Sequence, residues 1–411
     1  MRCGLLGRTL GHSFSPAIHS SINAGYSYTL FERKPEELDA FFSEDWHGIN
    51  VTIPYKETVM PYCTTIDDKA RRIGCVNTVV READGSLSGY NTDYDGFAFA
   101  LDNAGIAIDG RKCLILGNGA TSKTIRTVLE DKGAREILNI ARHDGIPYSD
   151  IHLHHDAEVI VNATPVGMYP NTPARLVELD GFCKLEAVFD VIYNPHRTQL
   201  LLDAAALGVK TCDGLPMLVA QAVYAAKHFA GINDIKARIT PILNHMVKDA
   251  ENIILIGMPG VGKSTIGKAL AKALNRPFVD VDKKIEALHG SCADYINTHG
   301  VDAFRAIETA MIAEVGKEHG QIIATGGGCV TVPANKELLR QNGRLYLLER
   351  PLEQLATKGR PLSEGGLDTL RALYSERAPL YRDFADVTVD NRTVRGTVDT
   401  ILEDFNEAMY Y

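Results

Sequence analysis

Two glycine-rich turns constrain this chain more than any other feature. LILGNGATSKTI, residues 114–125, and LIGMPGVGKSTIG, residues 255–267, each join an apolar run to a helical pattern. A strand that turns on glycine into a helix opens a parallel sheet, so each turn predicts a sheet of its own. Short apolar runs alternate with amphipathic stretches along the rest, which is the rhythm of α/β folds. At 411 residues the chain is too long for one ordinary domain. Its 45% hydrophobic and 23% charged residues allow a normal core in each part.

The charge balance excludes some functions. A net charge of −9 does not suggest a polyanion-binding surface, so no nucleic-acid partner is expected. No apolar run reaches transmembrane length, and no membrane partner is expected. The start, MRCGLLGRTLGHS, has no long apolar core, so no signal peptide is expected. The eight cysteines are scattered without a C-x-x-C pair, which predicts reduced thiols in a cytoplasm.

The second turn contains G-x-x-x-x-G-K-S from Gly257 to Ser264. Backbone N–H groups of Gly260, Val261 and Gly262 can converge there on phosphate oxygens, because glycine permits the dihedrals. Lys263 can reach the β- and γ-phosphates of ATP, the Ser264 hydroxyl can ligate Mg²⁺, and Thr265 follows on the helix. RPFVDVD then reads as a strand whose alternation puts Asp280 and Asp282 on one face. One of these carboxylates suits a Mg²⁺–water shell and the other a substrate hydroxyl; the other reading is two solvated strand-end acids.

In the first turn, Gly117, Asn118, Gly119 and Ala120 form a pyrophosphate turn, with Ser122 where the usual fingerprint has its third glycine. The next strand ends ILNIARH. An NAD enzyme would place an acid there; Arg142 suits a 2′-phosphate instead, which favours NADP(H). The His-rich stretch 143–158 reads as a solvated loop rather than a metal site, since no acid or Cys constellation supports it. In GHSFSP, Ser13 and Ser15 on an extended segment can share one anionic group, although ordinary turn chemistry would use them too.

GMPGVGKST, DVD, FRAIE (304–308), ATGGG (324–328), GRPL (359–362) and RAPLY (377–381) stand in the order and spacing of shikimate kinases. Residues 250–411 resemble that family. The resemblance implies that Arg305 and Arg377 grip the carboxylate of shikimate, while Gly326, Gly327 and Gly328 let backbone approach the ring. It implies that Asp282 accepts a ring-hydroxyl hydrogen bond and acts as base. Arg360 is then a lid cation and Arg392 an adenine-side residue. The lid, LATKGRPL, is shorter than usual, and Thr357 with Lys358 stands where relatives carry an arginine against adenine.

GHSFSP is followed by GINVTIPYKE, IGCVNTV, GYNTDYDGF, NATPVGM (162–168), DVIYNPHRTQLL (190–201) and DGLPMLVAQA (213–222). From residue 4 to about 230 the chain resembles shikimate dehydrogenase. The resemblance implies that Lys56 and Asp93 are the acid/base pair and that Asn77 and Asp93 bind ring hydroxyls. Ser13, Ser15 and Thr52 hold the carboxylate side, helped by Tyr193 and Gln221. The competing reading of Asp93 is a cap on a helix beginning near Gly96.

The expected architecture is α/β throughout. Residues 1–95 with 216–245 form a substrate-binding domain, 96–215 a Rossmann NADP domain, and 250–411 a P-loop domain like the nucleoside-monophosphate kinases, with 246–252 as linker. The expected function is reduction of 3-dehydroshikimate to shikimate, then phosphorylation of shikimate on its 3-hydroxyl. The alternatives are a pathway-derived regulator without catalysis, or a quinate/shikimate dehydrogenase with a weakened kinase. The expected partners are these small molecules, with a homodimer left open.

Overall fold

The run before each glycine turn forms a strand buried along its whole length, Lys112–Leu116 in one case and Asn252–Ile256 in the other. The computed structural model describes residues 1–11, 13–355 and 366–408. Two compact units are present: Met1–Met168 with Ala174–His245, and Tyr169–Pro173 with the chain from Met246 onward.

The first unit holds two sheets. A six-stranded mixed sheet runs in the order Ser27–Glu32, Arg2–Gly7, Gly48–Val51, Thr78–Arg81, Leu87–Tyr90, Thr65–Ile66. Strand Thr78–Arg81 pairs antiparallel with both of its neighbours. The second sheet has five parallel strands in the order Lys210–Cys212, Ala187–Asp190, Val159–Asn162, Lys112–Leu116, Glu136–Ile140. Helices Thr92–Asn103 and Leu215–Ala230 join the two sheets. They cross closely because Gly96 has no side chain: a Cβ there would lie 2.6 Å from the Met217 carbonyl oxygen. Met217 packs into the core of the parallel sheet, and Ala225 and Phe229 pack under the mixed one.

The second unit is one parallel sheet in the order Phe278–Asp280, Ile322–Ala324, Asn252–Ile256, Gly343–Glu349, Val387–Asp390. Its central strand carries Ile253, Ile254, Leu255 and Ile256, all fully buried. A continuous apolar run is what a strand covered on both faces requires. Each of these side chains contributes about 1.5–3 kcal/mol by leaving water, so truncating Ile254 to Ala would cost about 2–5 kcal/mol.

The expected linker, 246–252, begins where the two units divide, between His245 and Met246. Helix Ile235–Ala250 runs through most of it, and Asn252 opens the central strand. Asn252 at its end is buried and satisfied internally: its Nδ2 donates to the Glu318 carbonyl at 2.8 Å and its Oδ1 accepts from Gln321 N at 2.8 Å. No helix among the described residues is long and apolar enough to cross a membrane.

Candidate active sites

In the first unit, a cavity of about 400 Å³ is lined by Ser13, Ser15, Thr52, Lys56, Asn77, Asp93, Tyr193 and Gln221. Residues scattered over two hundred positions of sequence thus face one space. Lys56 Nζ donates to Asp93 Oδ2 at 2.6 Å, and the side chains are only 13% and 11% exposed. Burial is the strongest single influence on the Lys56 ammonium and pulls its pKa down. The charge of Asp93 and the hydrogen bond to it together outweigh burial, so the pKa is raised above 10.5. Lys56 is therefore a buried cation at neutral pH.

Asp93 does not cap the helix. The helix begins at Thr92, and its N-cap is Asn91, whose Oδ1 accepts from Tyr94 N at 3.1 Å. Asp93 lies in the first turn, where the positive helix end favours a carboxylate. Asn77 is fixed from behind: its Oδ1 accepts from Thr92 N at 2.7 Å and from the Thr78 hydroxyl at 3.1 Å. That orientation leaves its Nδ2 for the cavity.

Ser13 and Ser15 do not lie on an extended segment. Ser15 is the first residue of helix Ser15–Ile22, and its N–H donates to Ser13 Oγ at 3.2 Å. Proline at the second helical position suits a helix start, and this produces the turn. Burial pushes the Tyr193 phenol above its ordinary 10.0, so it is a neutral donor. Sequence reading missed Asn50, which also lines the cavity; its Oδ1 accepts from the Tyr28 hydroxyl at 2.8 Å and its Nδ2 donates to Thr78 Oγ1 at 3.1 Å. A lone amide inside the apolar strand GINV was the available signal.

The glycine turn of the parallel sheet fits a pyrophosphate. Gly117 has φ 107°, and a Cβ on it would lie 2.9 Å from Thr164 Cγ2. A Cβ on Gly119 would meet nothing within 4 Å, and helix Ala120–Asp131 starts there without a side-chain cap. Its first N–H groups therefore have no side-chain cap, which suits them to an anion. Ser122 replaces the missing third glycine by hydrogen bonding: its Oγ donates to the Gly117 carbonyl at 3.0 Å and accepts from Asn139 Nδ2 at 2.7 Å. Asn118 Nδ2 donates to the Asp144 carbonyl at 2.9 Å, and Arg142 is exposed beyond the strand end.

In the second unit, a cavity of about 430 Å³ is lined by Gly260, Gly262, Lys263, Ser264, Thr265, Asp280, Asp282, Arg305, Gly326, Gly327, Gly328 and Arg377. Gly257, Gly260 and Gly262 have φ of 139°, 83° and 103°, which open the loop into a cradle. Helix Lys263–Leu274 follows without a side-chain cap. Lys263 Nζ donates to the carbonyls of Gly257 at 2.7 Å and Met258 at 3.2 Å. Ser264 Oγ donates to Asp280 Oδ2 at 2.6 Å, so a hydroxyl and a carboxylate stand together as hard oxygen donors suited to Mg²⁺.

Asp280 and Asp282 reach this cavity by a different route from the one expected. The strand stops at Asp280, which caps helix Val281–His289 through Lys283 N, and Asp282 sits in that helix's first turn. Burial is the main influence on Asp282 and raises its pKa, opposed by the nearby Lys263 charge. The three glycines are places where side chains press on backbone. A Cβ on Gly328 would lie 1.8 Å from Arg305 Nη2, and one on Gly326 would lie 2.2 Å from Glu308 Oε1 and 2.9 Å from Asp282 Oδ1. Arg377 Nη1 donates to the Gly327 carbonyl at 3.2 Å. Glu308, unassigned from sequence, is fully buried and pairs with Arg305. Burial raises its pKa and the Arg305 charge opposes this.

Val261 and Arg392 line an adjacent cavity of about 520 Å³. Arg360, with Thr357 and Lys358, lies outside the described residues. No three His, Cys, Asp or Glu side chains among the described residues converge on one metal-sized point.

The first unit has the anatomy of a nicotinamide-dependent oxidoreductase acting on a small polar ligand. The second has that of a P-loop phosphotransferase. The family described as shikimate dehydrogenase substrate binding domain matches residues 5–79, and the shikimate kinase family matches residues 259–406. Shikimate dehydrogenase (NADP(+)) of Clostridium perfringens (strain SM101 / Type A) is 37% identical over 250 residues, covering 56% of this chain and 92% of that protein. A chorismate mutase/shikimate 5-dehydrogenase fusion protein from Clostridium acetobutylicum aligns with TM-score 0.56 at 35% identity, over 60% of this chain and 96% of its own. Shikimate 5-dehydrogenase from Thermus thermophilus, in complex with NADP(H) and shikimate, aligns with TM-score 0.54 at 28% identity, over 60% of this chain and 99% of its own. The chain belongs to the shikimate dehydrogenase family and carries a shikimate kinase domain behind that part.

Proposed function

We propose that this protein is a bifunctional enzyme of the shikimate pathway. Its first unit reduces 3-dehydroshikimate to shikimate, and its second phosphorylates the 3-hydroxyl just made. One observation shared by both cavities carries this reading. Each combines a carboxylate suited to ring hydroxyls, Asp93 or Asp282, with groups suited to a carboxylate, Ser13 and Ser15 or Arg305 and Arg377.

In the first unit, Gly117, Asn118, Gly119, Ala120 and Arg142 would hold NADP(H), which would supply the hydride. Reduction of a ketone leaves an alkoxide, and the Lys56 ammonium gives it a proton. Asp93 holds that ammonium charged before the reaction and receives a ring hydroxyl beside it. Asn77 donates to a second hydroxyl. Ser13, Ser15 and Thr52, with Tyr193 and Gln221, orient the substrate from its carboxylate side.

In the second unit, ATP supplies the phosphoryl group, with Gly257, Gly260, Val261, Gly262, Lys263 and Thr265 around its phosphates and Arg392 toward its base. Ser264 and Asp280 would hold Mg²⁺, which screens phosphate charge. Arg305 and Arg377 clamp the shikimate carboxylate, because a planar guanidinium matches it bidentately. Gly326, Gly327 and Gly328 admit the ring, and Asp282 takes the proton of the attacking hydroxyl. Arg360 is assigned to the transferred phosphoryl from the sequence motif alone. All eight cysteines are free thiols, which supports a reducing compartment, the cytoplasm.

The test is direct. Purified full chain is assayed for shikimate oxidation with NADP⁺ and NAD⁺ side by side, then for ADP release when ATP and shikimate are supplied. Both activities, with NADP⁺ preferred, are expected; absence of either removes that half of the reading.

A further inference from the structure

The buried carboxylate of Asp190 has no role in the chemistry above, yet it joins both sides of the first active site. Asp190 ends strand Ala187–Asp190 and is completely shielded from solvent. Its Oδ1 accepts from Ile192 N at 3.1 Å and from Asn162 Nδ2 at 3.0 Å. Its Oδ2 accepts from Thr198 Oγ1 at 2.7 Å. Thr198 stands at the N-cap of helix Gln199–Ala206 but makes no side-chain cap, its hydroxyl being committed to Asp190. One carboxylate therefore holds both ends of the loop that carries Tyr193 to the substrate cavity.

The same carboxylate governs the neighbouring loop through Asn162, the last residue of strand Val159–Asn162. Asn162 Oδ1 accepts from Thr164 N at 3.0 Å and from Thr164 Oγ1 at 2.8 Å. The Thr164 methyl is the group a Cβ on Gly117 would strike, so Thr164 packs against the cofactor turn. Both loops leave the carboxyl ends of adjacent parallel strands, where ligands of such sheets bind. Burial pushes Asp190 up to about 7, against the pull of its three hydrogen bonds. Maintaining a carboxylate there is costly, and an apolar residue would meet the needs of packing alone.

We propose that Asp190 is a positioning residue: one buried carboxylate fixes the loop beside the cofactor turn and the loop bearing Tyr193, so that cofactor and substrate are set against each other. This rests on the dehydrogenase reading of the first unit.

The test uses the full chain and variants Asp190→Asn, Thr198→Val, Thr164→Val and Tyr193→Phe. The dissociation constant for NADPH is measured by calorimetry, and that for shikimate by calorimetry in a background carrying Arg305→Ala and Arg377→Ala, which removes the clamp proposed for the second unit. KM and kcat for shikimate oxidation are read beside them, with thermal melts as a control on folding. Thr164→Val is expected to weaken NADPH only, and Tyr193→Phe shikimate only. Asp190→Asn should weaken both and lower kcat by roughly 10- to 100-fold, the scale of a misplaced reactant pair. Thr198→Val should follow it in direction with a smaller effect, which keeps the idea testable if Asp190→Asn does not fold. If the folded variants at 190 and 198 lower the melting temperature but leave both dissociation constants at wild-type values, or shift only one ligand, the positioning role is overturned. If the wild type itself neither binds NADPH nor oxidises shikimate, the dehydrogenase reading falls and this inference falls with it.

Discussion

Lys56 and Asp93 form a 2.6 Å ion pair that is almost closed to solvent, and each partner sets what the other can do. Without Asp93, burial loses its two main opponents, and the Lys56 pKa falls. Asp93→Asn should therefore move the basic limb of the pH–rate profile for 3-dehydroshikimate reduction, the direction in which Lys56 gives its proton, to lower pH. In the wild type the folded pKa of Lys56 lies above 10.5. The stability the pair supplies is thus full below about pH 10.5 and is lost as pH rises through the raised value. Lys56→Ala should reduce kcat for shikimate oxidation by about 10²–10⁴ and leave ADP release intact. A basic limb that stays in place in Asp93→Asn would show that Lys56 is not the titrating acid.

Lys263 is the counterpart in the second unit. Its ammonium lies over the loop, 2.7 Å from the Gly257 carbonyl, where phosphate charge would be received. Lys263→Ala should lower phosphorylation by about 10²–10³, the range for losing one transition-state donor. Dehydrogenation in the same preparation should keep the wild-type rate. Were Lys56→Ala and Lys263→Ala each to silence both reactions in folded protein, two independent sites would be the wrong description.

The sequence made some of this readable and concealed the rest. The central strands and glycine turns were legible because a buried parallel strand must be apolar throughout, and a phosphate turn must have glycine at fixed spacing. Asp93 and Asp282 were legible as residue types, but their placement was not. Each lies just inside a helix, since Asn91 and Asp280 take the cap: the helix of Asp93 starts before Gly96, and the strand expected to carry Asp282 stops at Asp280. Polar residues buried by mutual hydrogen bonds, such as Asn252, Glu308 and Asp190, gave no local signal. Their partners come from distant segments, and only the folded chain identifies them.

Gly328 offers a test of the fit of the second cavity. A Cβ there would overlap the Arg305 guanidinium, the far end of a flexible side chain that can swing aside. Gly328→Ala should raise the KM for shikimate in phosphorylation by about 10- to 100-fold, the value of one charge-assisted hydrogen bond. Because the displaced guanidinium also leaves the buried Glu308 without its partner, the melting temperature should fall as well, and the KM is read on folded protein. Gly214→Ala is the contrast: its Cβ would lie 2.0 Å from the Val191 backbone oxygen, which cannot swing away. That change should destabilise the first unit by about 1–3 kcal/mol. A Gly328→Ala protein with wild-type KM would remove Arg305 from the carboxylate clamp.

Asp282 should trade stability for catalysis. Burial holds its folded pKa above the ordinary 3.8, so ionising it costs folding free energy. For an acid raised in the folded state, that cost is absent below the unfolded pKa. It grows as pH climbs from there and is complete once the folded value is passed. Asp282→Asn removes the ionisation at similar shape. The variant's second unit should therefore melt at higher temperature than the wild type at pH 7, with the difference shrinking as pH falls toward about 4. Its kcat for phosphorylation should drop by about 10²–10⁴, the loss of a general base. The wild-type kinase should show an acid limb above the usual carboxylate range, and the variant's residual activity should lack it. Melting curves of the two proteins at pH 4 and pH 7, read beside ADP release, decide the matter: a variant that melts lower at pH 7 would mean that Asp282 is a stabilising partner rather than a strained base.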